Sequence, residues 1–77
     1  MHELTLVRSL IDAVTGAVGP SRVHVVRIHV GRRACESAHS LQRCFDVCAR
    51  GTPLEGATLD IVETDGDELR VESVEVS

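Results

Sequence analysis

With 77 residues, 43% of them apolar, the chain can fill one thin core; a polypeptide this short buries only about 60% of its unfolded surface, which excludes an enzyme built around a cleft between two domains. The formal charge is −4, all eight basic residues are Arg, and Phe45 is the single aromatic, which counts against nucleic-acid binding and excludes stacking platforms. No apolar run approaches the roughly 20 residues of a membrane helix and no leader opens the chain, so the expectation is a soluble, cytoplasmic, bacterial protein that engages no membrane.

Leu4, Val7, Leu10, Ile11, Val14 and Val18 recur at helical spacing, so residues 3–18 read as an amphipathic helix. Gly19-Pro20 ends it, Gly taking the left-handed cap and Pro refusing to continue the ladder. Residues 22–30 are β-branched and alternate, with Val26, Ile28 and Val30 on one face and Arg27 and His29 on the other. A loop over 31–36 leads to Ser37, an N-cap for a second helix with Ala38, Leu41, Cys44, Phe45 and Cys48 on one stripe, stopped by Gly51-Thr52-Pro53. Ala57, Leu59 and Ile61 alternate as a second strand, Asp65-Gly66 signals a hairpin, and residues 69–76 form a third strand. The apolar register of that strand moves from Leu69/Val71 to Val74/Val76, which requires a β-bulge near Glu72-Ser73. The expected fold is α/β (α+β): a three-stranded sheet with two helices on one face, order α-β-α-β-β, the other face wetter. Its open sheet edges and thin core suit a homodimer.

Charge is distributed unevenly. Residues 22–50 carry six Arg against Glu36 and Asp46, whereas residues 51–77 carry eight acids against Arg70. Either these segments face each other across the sheet or they present a docking face to a protein partner.

The most unusual feature is Met1-His2-Glu3, where an imidazole follows the α-amine at the start of a helix. Amine, imidazole and intervening backbone nitrogens close small chelate rings, a nitrogen-rich set that favours Ni(II) or Cu(II); the plain alternative is an exposed terminal His. The positive end of the helix dipole opposes a cation there, which deprotonated amides and the Glu3 carboxylate offset. Cys44 and Cys48, at i and i+4, are expected as small buried core residues, the alternative being two thiolates offered to a metal. With Cys35 they make an odd number that suits neither a disulfide framework nor a four-Cys zinc site. Cys35, Glu36 and His39 cluster where the first strand leads into the second helix, as loop residues or as a source of an extra ligand. His24 and His29 lie at opposite parity on one strand, so they are not expected to form one site and read as structural or surface residues. No G-x-S-x-G motif or phosphate-binding Gly-rich loop is present, so no catalysis is expected.

Met-His-Glu-Leu at 1–4, the strand Val26-Arg27-Ile28-His29-Val30-Gly31, residues 41–52, Glu55-Gly56-Ala57, Leu59-Asp60-Ile61 and residues 66–76 together resemble the HypA/HybF family of hydrogenase nickel-incorporation metallochaperones, in order and over nearly the whole chain. There are two departures. The zinc-binding insert with paired Cys-x-x-Cys motifs is replaced by a turn at about 63–67 without Cys, so no zinc is expected. The acidic residue that the family often places before the second helix falls at Ser37, with Glu36 one residue away. The resemblance implies a single nickel-binding domain over 1–77, a cytoplasmic Ni(II) metallochaperone. Met1, His2 and Glu3 would hold the metal, His2 by its imidazole, with Glu36 and His39 as candidate extra ligands. The implied partners are a hydrogenase maturation GTPase and the hydrogenase large subunit, with urease served in some organisms. The alternative is a metal-independent interaction or assembly subunit derived from that family.

Overall fold

The apolar stripe of the first segment winds into α1 (Glu3–Val18), which buries Val7, Leu10, Ile11 and Val14. The computed structural model describes residues 3–34 and 37–77, Glu3 by its backbone. Gly19 closes α1 at φ +62°, its N–H donating to Thr15 O at 3.1 Å, a conformation that a Cβ would strain. β1 (Val23–Gly31) follows, then α2 (Ala38–Cys48), β2 (Thr58–Thr64) and β3 (Leu69–Val76). Ser37 has extended backbone and its Oγ accepts from Ser40 N at 3.1 Å, so the expected N-cap is formed. The strands β1 and β2 each begin one residue later than the alternation indicates.

The sheet order is β2-β1-β3. β1 and β2 run parallel from Val25↔Thr58 to Gly31↔Thr64, joined through α2, and β1 and β3 run antiparallel from Val23↔Val76 to Val30↔Leu69. This corrects the hairpin expected at Asp65-Gly66, because β1 lies between the two strands that this turn connects. Neither Asp65 nor Gly66 has the positive φ of a type I′ turn. The link over 64–68 instead spans two strand spacings, about 10 Å, and lies across the end of β1. There Gly31 N donates to Glu68 O (2.7 Å), Arg32 N to Thr64 O (3.0 Å) and Arg33 N to Gly66 O (3.1 Å). A Cβ on Gly31 would stand 2.0 Å from Gly66 O, so only glycine allows this crossing.

The bulge expected on β3 is present. Arg27 pairs with Ser73 and Ile28 with Val71, which leaves Glu72 as the extra residue. Leu69, Val71, Val74 and Val76 are thereby all paired with buried β1 residues, Val30, Ile28, Val26 and Val23. A second irregularity, at His24, was not legible in the alternation: Val23 and Val26 are both buried although three residues apart. The strand is rephased there, so parity does not separate His24 from His29 as expected. Their partners do, His24 Nε2 meeting Ser77 Oγ at 2.7 Å and His29 meeting Glu72.

One core cluster joins both helices to one face of the sheet, with Phe45, Ile28, Leu41 and Leu54 its largest fully buried side chains. Leu54 is held under the core by turns: Thr52 Oγ1 donates to Ala49 O (2.7 Å) and accepts from Leu54 N (3.1 Å), and Pro53 O accepts from Val23 N (3.0 Å). Gln42 ties α2 to β2, its Oε1 accepting from Leu59 N at 3.0 Å while its Nε2 donates to Asp46 Oδ1 at 2.8 Å. Among the described residues no helix is long and apolar enough to cross a membrane.

Candidate metal centre

Met1, His2 and Glu36 lie outside the described residues, and Glu3 enters only through its backbone, as the first residue of α1. His39 sits exposed in the first turn of α2, two residues beyond the cap Ser37. Ser37, where the resemblance leads one to expect an acid, carries a hydroxyl that caps the helix end. No group of three or more His, Cys, Asp or Glu is gathered around a common point among the described residues.

The described residues form two clefts on the helical side of the sheet. One of about 410 Å³ runs between the helices, lined by Leu4, Arg8, Ile11 and Asp12 of α1 and by Val47, Cys48 and Thr52. Leu4, one residue beyond the Met1-His2-Glu3 motif, is 50% exposed and Val47 is 58% exposed. The other cleft, of about 380 Å³, lies at the carboxyl ends of the parallel strands against the start of α2, with Arg32, Ser37, Ala38 and Glu63 on its wall.

Cys44 and Cys48 are half-buried rather than buried, which corrects the expectation of two core thiols. Leu41, Phe45 and Ala49 take the centre of the α2 stripe, leaving the two Cys packed at its rim. Cys48 consequently reaches the wall of the interhelical cleft.

On the open sheet face part of the basic segment meets part of the acidic one, through Arg27 and His29. Arg27 Nε donates to Asp60 Oδ2 at 2.7 Å across β1 and β2, and its Nη1 lies 3.5 Å from Glu72 Oε2 on β3. His29 Nε2 donates to the other oxygen of Glu72. The bulge makes this possible, because the inserted Glu72 reaches both Arg27 and His29. Sequence reading located the bulge but not the network, since strand order decides which acids flank β1.

The hydrogen bond from His29 holds the Glu72 carboxyl below its ordinary range; partial desolvation opposes this, and the charges of His29 and Arg27 add to it. A carboxyl lowered in the folded state stabilises the fold above its unfolded pKa, and that contribution disappears as the pH falls through the lower folded value. Acidification below about pH 4.3, the ordinary Glu value, is therefore expected to lower the urea midpoint of the protein. Glu72→Gln should flatten that acid slope; an unchanged slope would show that the network is energetically silent.

Comparison with known proteins agrees with this fold. A family model described as "Hydrogenase/urease nickel incorporation, metallochaperone, hypA" matches residues 1–67. The hydrogenase maturation factor HypA of Geotalea daltonii is 44% identical over 59 residues, covering 77% of this chain and 54% of that protein. The HypA of Beijerinckia indica subsp. indica is 44% identical over 69 residues, covering 86% and 61%, and that of Nostoc punctiforme is 35% identical over 66 residues, covering 86% and 58%. The matched region thus spans little more than half the length of these relatives. The solution structure of the Ni metallochaperone HypA from Helicobacter pylori superimposes with a TM-score of 0.75 over 99% of this chain and 97% of that one, at 18% identity, a likeness of fold. The family match ends at Asp67, so for β3 the likeness rests on that superposition.

Proposed function

This chain belongs to the HypA family of hydrogenase and urease nickel-incorporation metallochaperones, and from that premise we propose that it carries Ni(II) as cargo at Met1-His2-Glu3. The observation that supports this most is that the family match begins at residue 1, so it includes the Met-His-Glu opening that leads directly into α1. The α-amine of Met1, the imidazole of His2 and the backbone nitrogens of His2 and Glu3 form a donor set of the nitrogen-rich, near-planar kind that Ni(II) prefers. Loss of amide protons and the Glu3 carboxylate offset the unfavourable positive end of α1. Glu36 and His39, flanking the start of α2, are the candidate extra ligands.

In this reading residues 1–77 form a single cytoplasmic nickel-binding domain that passes its ion on without catalysis. A maturation GTPase and the hydrogenase large subunit are the proposed partners, and the open edges of β2 and β3 suit a homodimer. Family-type zinc binding is not part of the proposal, because the 64–68 link between β2 and β3 contains no Cys.

Nickel titration by calorimetry into the protein, into His2→Ala and into a form with glycine added before Met1 tests the site. Both altered forms are expected to bind at least roughly tenfold more weakly, a loss of about 1.4 kcal/mol. Equal binding by all three overturns the terminal site. Absence of nickel binding in all three, together with retention of a maturation partner in a pull-down, would favour the metal-independent assembly subunit.

A further inference from the structure

We propose that two copies of this chain pair through the outer edge of β3, antiparallel about a two-fold axis, joining their three-stranded sheets into one continuous sheet. This arrangement rests on the homodimer named above, gives it one edge and one register, and needs nothing of the nickel terminus. β3 is an edge strand with no further strand beside it among the described residues, and such an edge is a template for another chain. Its apolar residues are also incompletely covered. Leu69, Val71, Val74 and Val76 pair with buried β1 residues, yet Val71 is 38% exposed and Val76 48%. A strand laid along β3 continues the apolar layer over both.

The sequence of β3 fits its own reverse. Laid antiparallel over its whole length against a copy, it sets Leu69 opposite Val76, Arg70 opposite Glu75 and Val71 opposite Val74. Each pair occurs twice, because a two-fold contact repeats across its axis. The apolar pairs fall on the helical side and the charged pair on the open side, where Arg70 stands beside His29 and Glu75 beside Val25. Arg70 and Glu75 are an odd number of positions apart and would face opposite sides of a regular strand. The bulge at Glu72 turns them to the same side, and so makes the strand self-complementary. The two bulges then meet at the axis, where each Glu72 is already held by Arg27 and His29 of its own copy. Sliding the register by two residues shortens the ladder and sets Arg70 or Glu75 against Ser73, which parts the charged pair.

The other edge does not fit itself. β2 is regular, so an antiparallel copy must be centred on a residue. Centred on Asp60, the pairing puts like charges opposite each other, which destabilises it. Centred on Ile61 it sets Leu59 against Glu63, and centred on Val62 it sets Ile61 against Glu63. Charges on a sheet edge ordinarily discourage a foreign strand; those of β3 discourage every strand except one that presents Glu75 to Arg70. Arg70 also lies 3.7 Å from Glu68 of its own chain. Exposed pairs of this kind fix register more than they add affinity.

Sedimentation velocity over a wide range of protein concentration tests this with the protein, Arg70→Glu, Glu75→Arg, the doubly substituted chain and an equimolar mixture of the two single variants. Both positions are exposed, so the substitutions leave the core untouched. Each single variant sets like charges opposite each other in the two-fold register and is expected to weaken dimerisation at least roughly tenfold. The double variant and the mixture bring opposite charges together again and are expected to regain most of that loss, while His2→Ala dimerises as the unsubstituted protein does. Amide hydrogen exchange is expected to slow along β3, and not along β2, as the dimer forms. A protein that stays monomeric at every concentration overturns the homodimer and this edge together, without bearing on nickel. A dimer indifferent to the two substitutions, a loss that the double variant does not regain, or slowed exchange along β2 overturns the β3 edge and leaves the homodimer standing.

Discussion

Gly31→Ala is expected to lower the melting midpoint by roughly 12–24 °C, corresponding to about 3 kcal/mol in a domain of this size. The added methyl would meet Gly66 O at 2.0 Å and Asp67 N at 2.6 Å, both backbone atoms, so the 64–68 link must lift away from the end of β1. Lifting it endangers the three hydrogen bonds that Gly31, Arg32 and Arg33 donate to the link, each worth a net ~0.5–1.5 kcal/mol. Overpacking adds roughly 1–3 kcal/mol if the link stays. Gly16→Ala is the internal control. Nothing lies within 4 Å of a Cβ there, and alanine in a helix interior should stabilise by about 0.5–1 kcal/mol. Thermal melts followed by far-UV circular dichroism should move in opposite directions for the two variants; a shift of the same sign would refute the tight crossing.

Phe45→Ala should cost about 3–5 kcal/mol, the range for truncating a buried aromatic. Phe45 is fully buried and heads the largest side chains of a core with no other ring in it. A domain of this length has a net stability of only about 4–12 kcal/mol, so the substitution should remove from about a quarter to all of it. Phe45→Leu keeps most of the apolar volume and should fall between it and the unsubstituted protein. Urea titration by circular dichroism distinguishes them, since the chain has no Trp or Tyr for fluorescence. A loss below about 1 kcal/mol for Phe45→Ala would mean that Leu41 and Leu54 close over the void.

Local signals were legible in this sequence and global arrangement was not. Ser37 as cap, Gly19 as stop and the register change at Glu72 each depend on neighbours within a few residues, and each is where the pattern places it. Asp65-Gly66 failed as a hairpin signal because a turn joining adjacent strands and a link passing over an intervening strand use similar residues. Which one forms depends on β1, more than thirty residues earlier. Leu54 offered no periodicity, and its burial follows from turns built on Thr52 and Pro53. The Cys pair shares the apolar stripe of α2, but a wheel gives the stripe's direction without its width, and the width left both thiols at the rim. Of the candidate metal residues, the structure places His39 and the backbone of Glu3, and the reading of Met1 and His2 rests on sequence and family.

The middle position of β1 has a kinetic consequence. During synthesis the central strand leaves the ribosome first, while its partners β2 and β3 lie in the last twenty residues of the sheet-forming sequence and pair with it across separations as long as Val23 to Val76. Such distant pairings slow folding relative to local ones. Until β3 emerges, the nascent chain holds at most a single parallel pair with one side of β1 bare, an aggregation-prone edge. The helices, both of which precede β2 in the chain, can assemble earlier and shield the apolar face of β1. Completion of the sheet is therefore expected to come late in folding, and chaperones that cover strand edges should matter most in that interval.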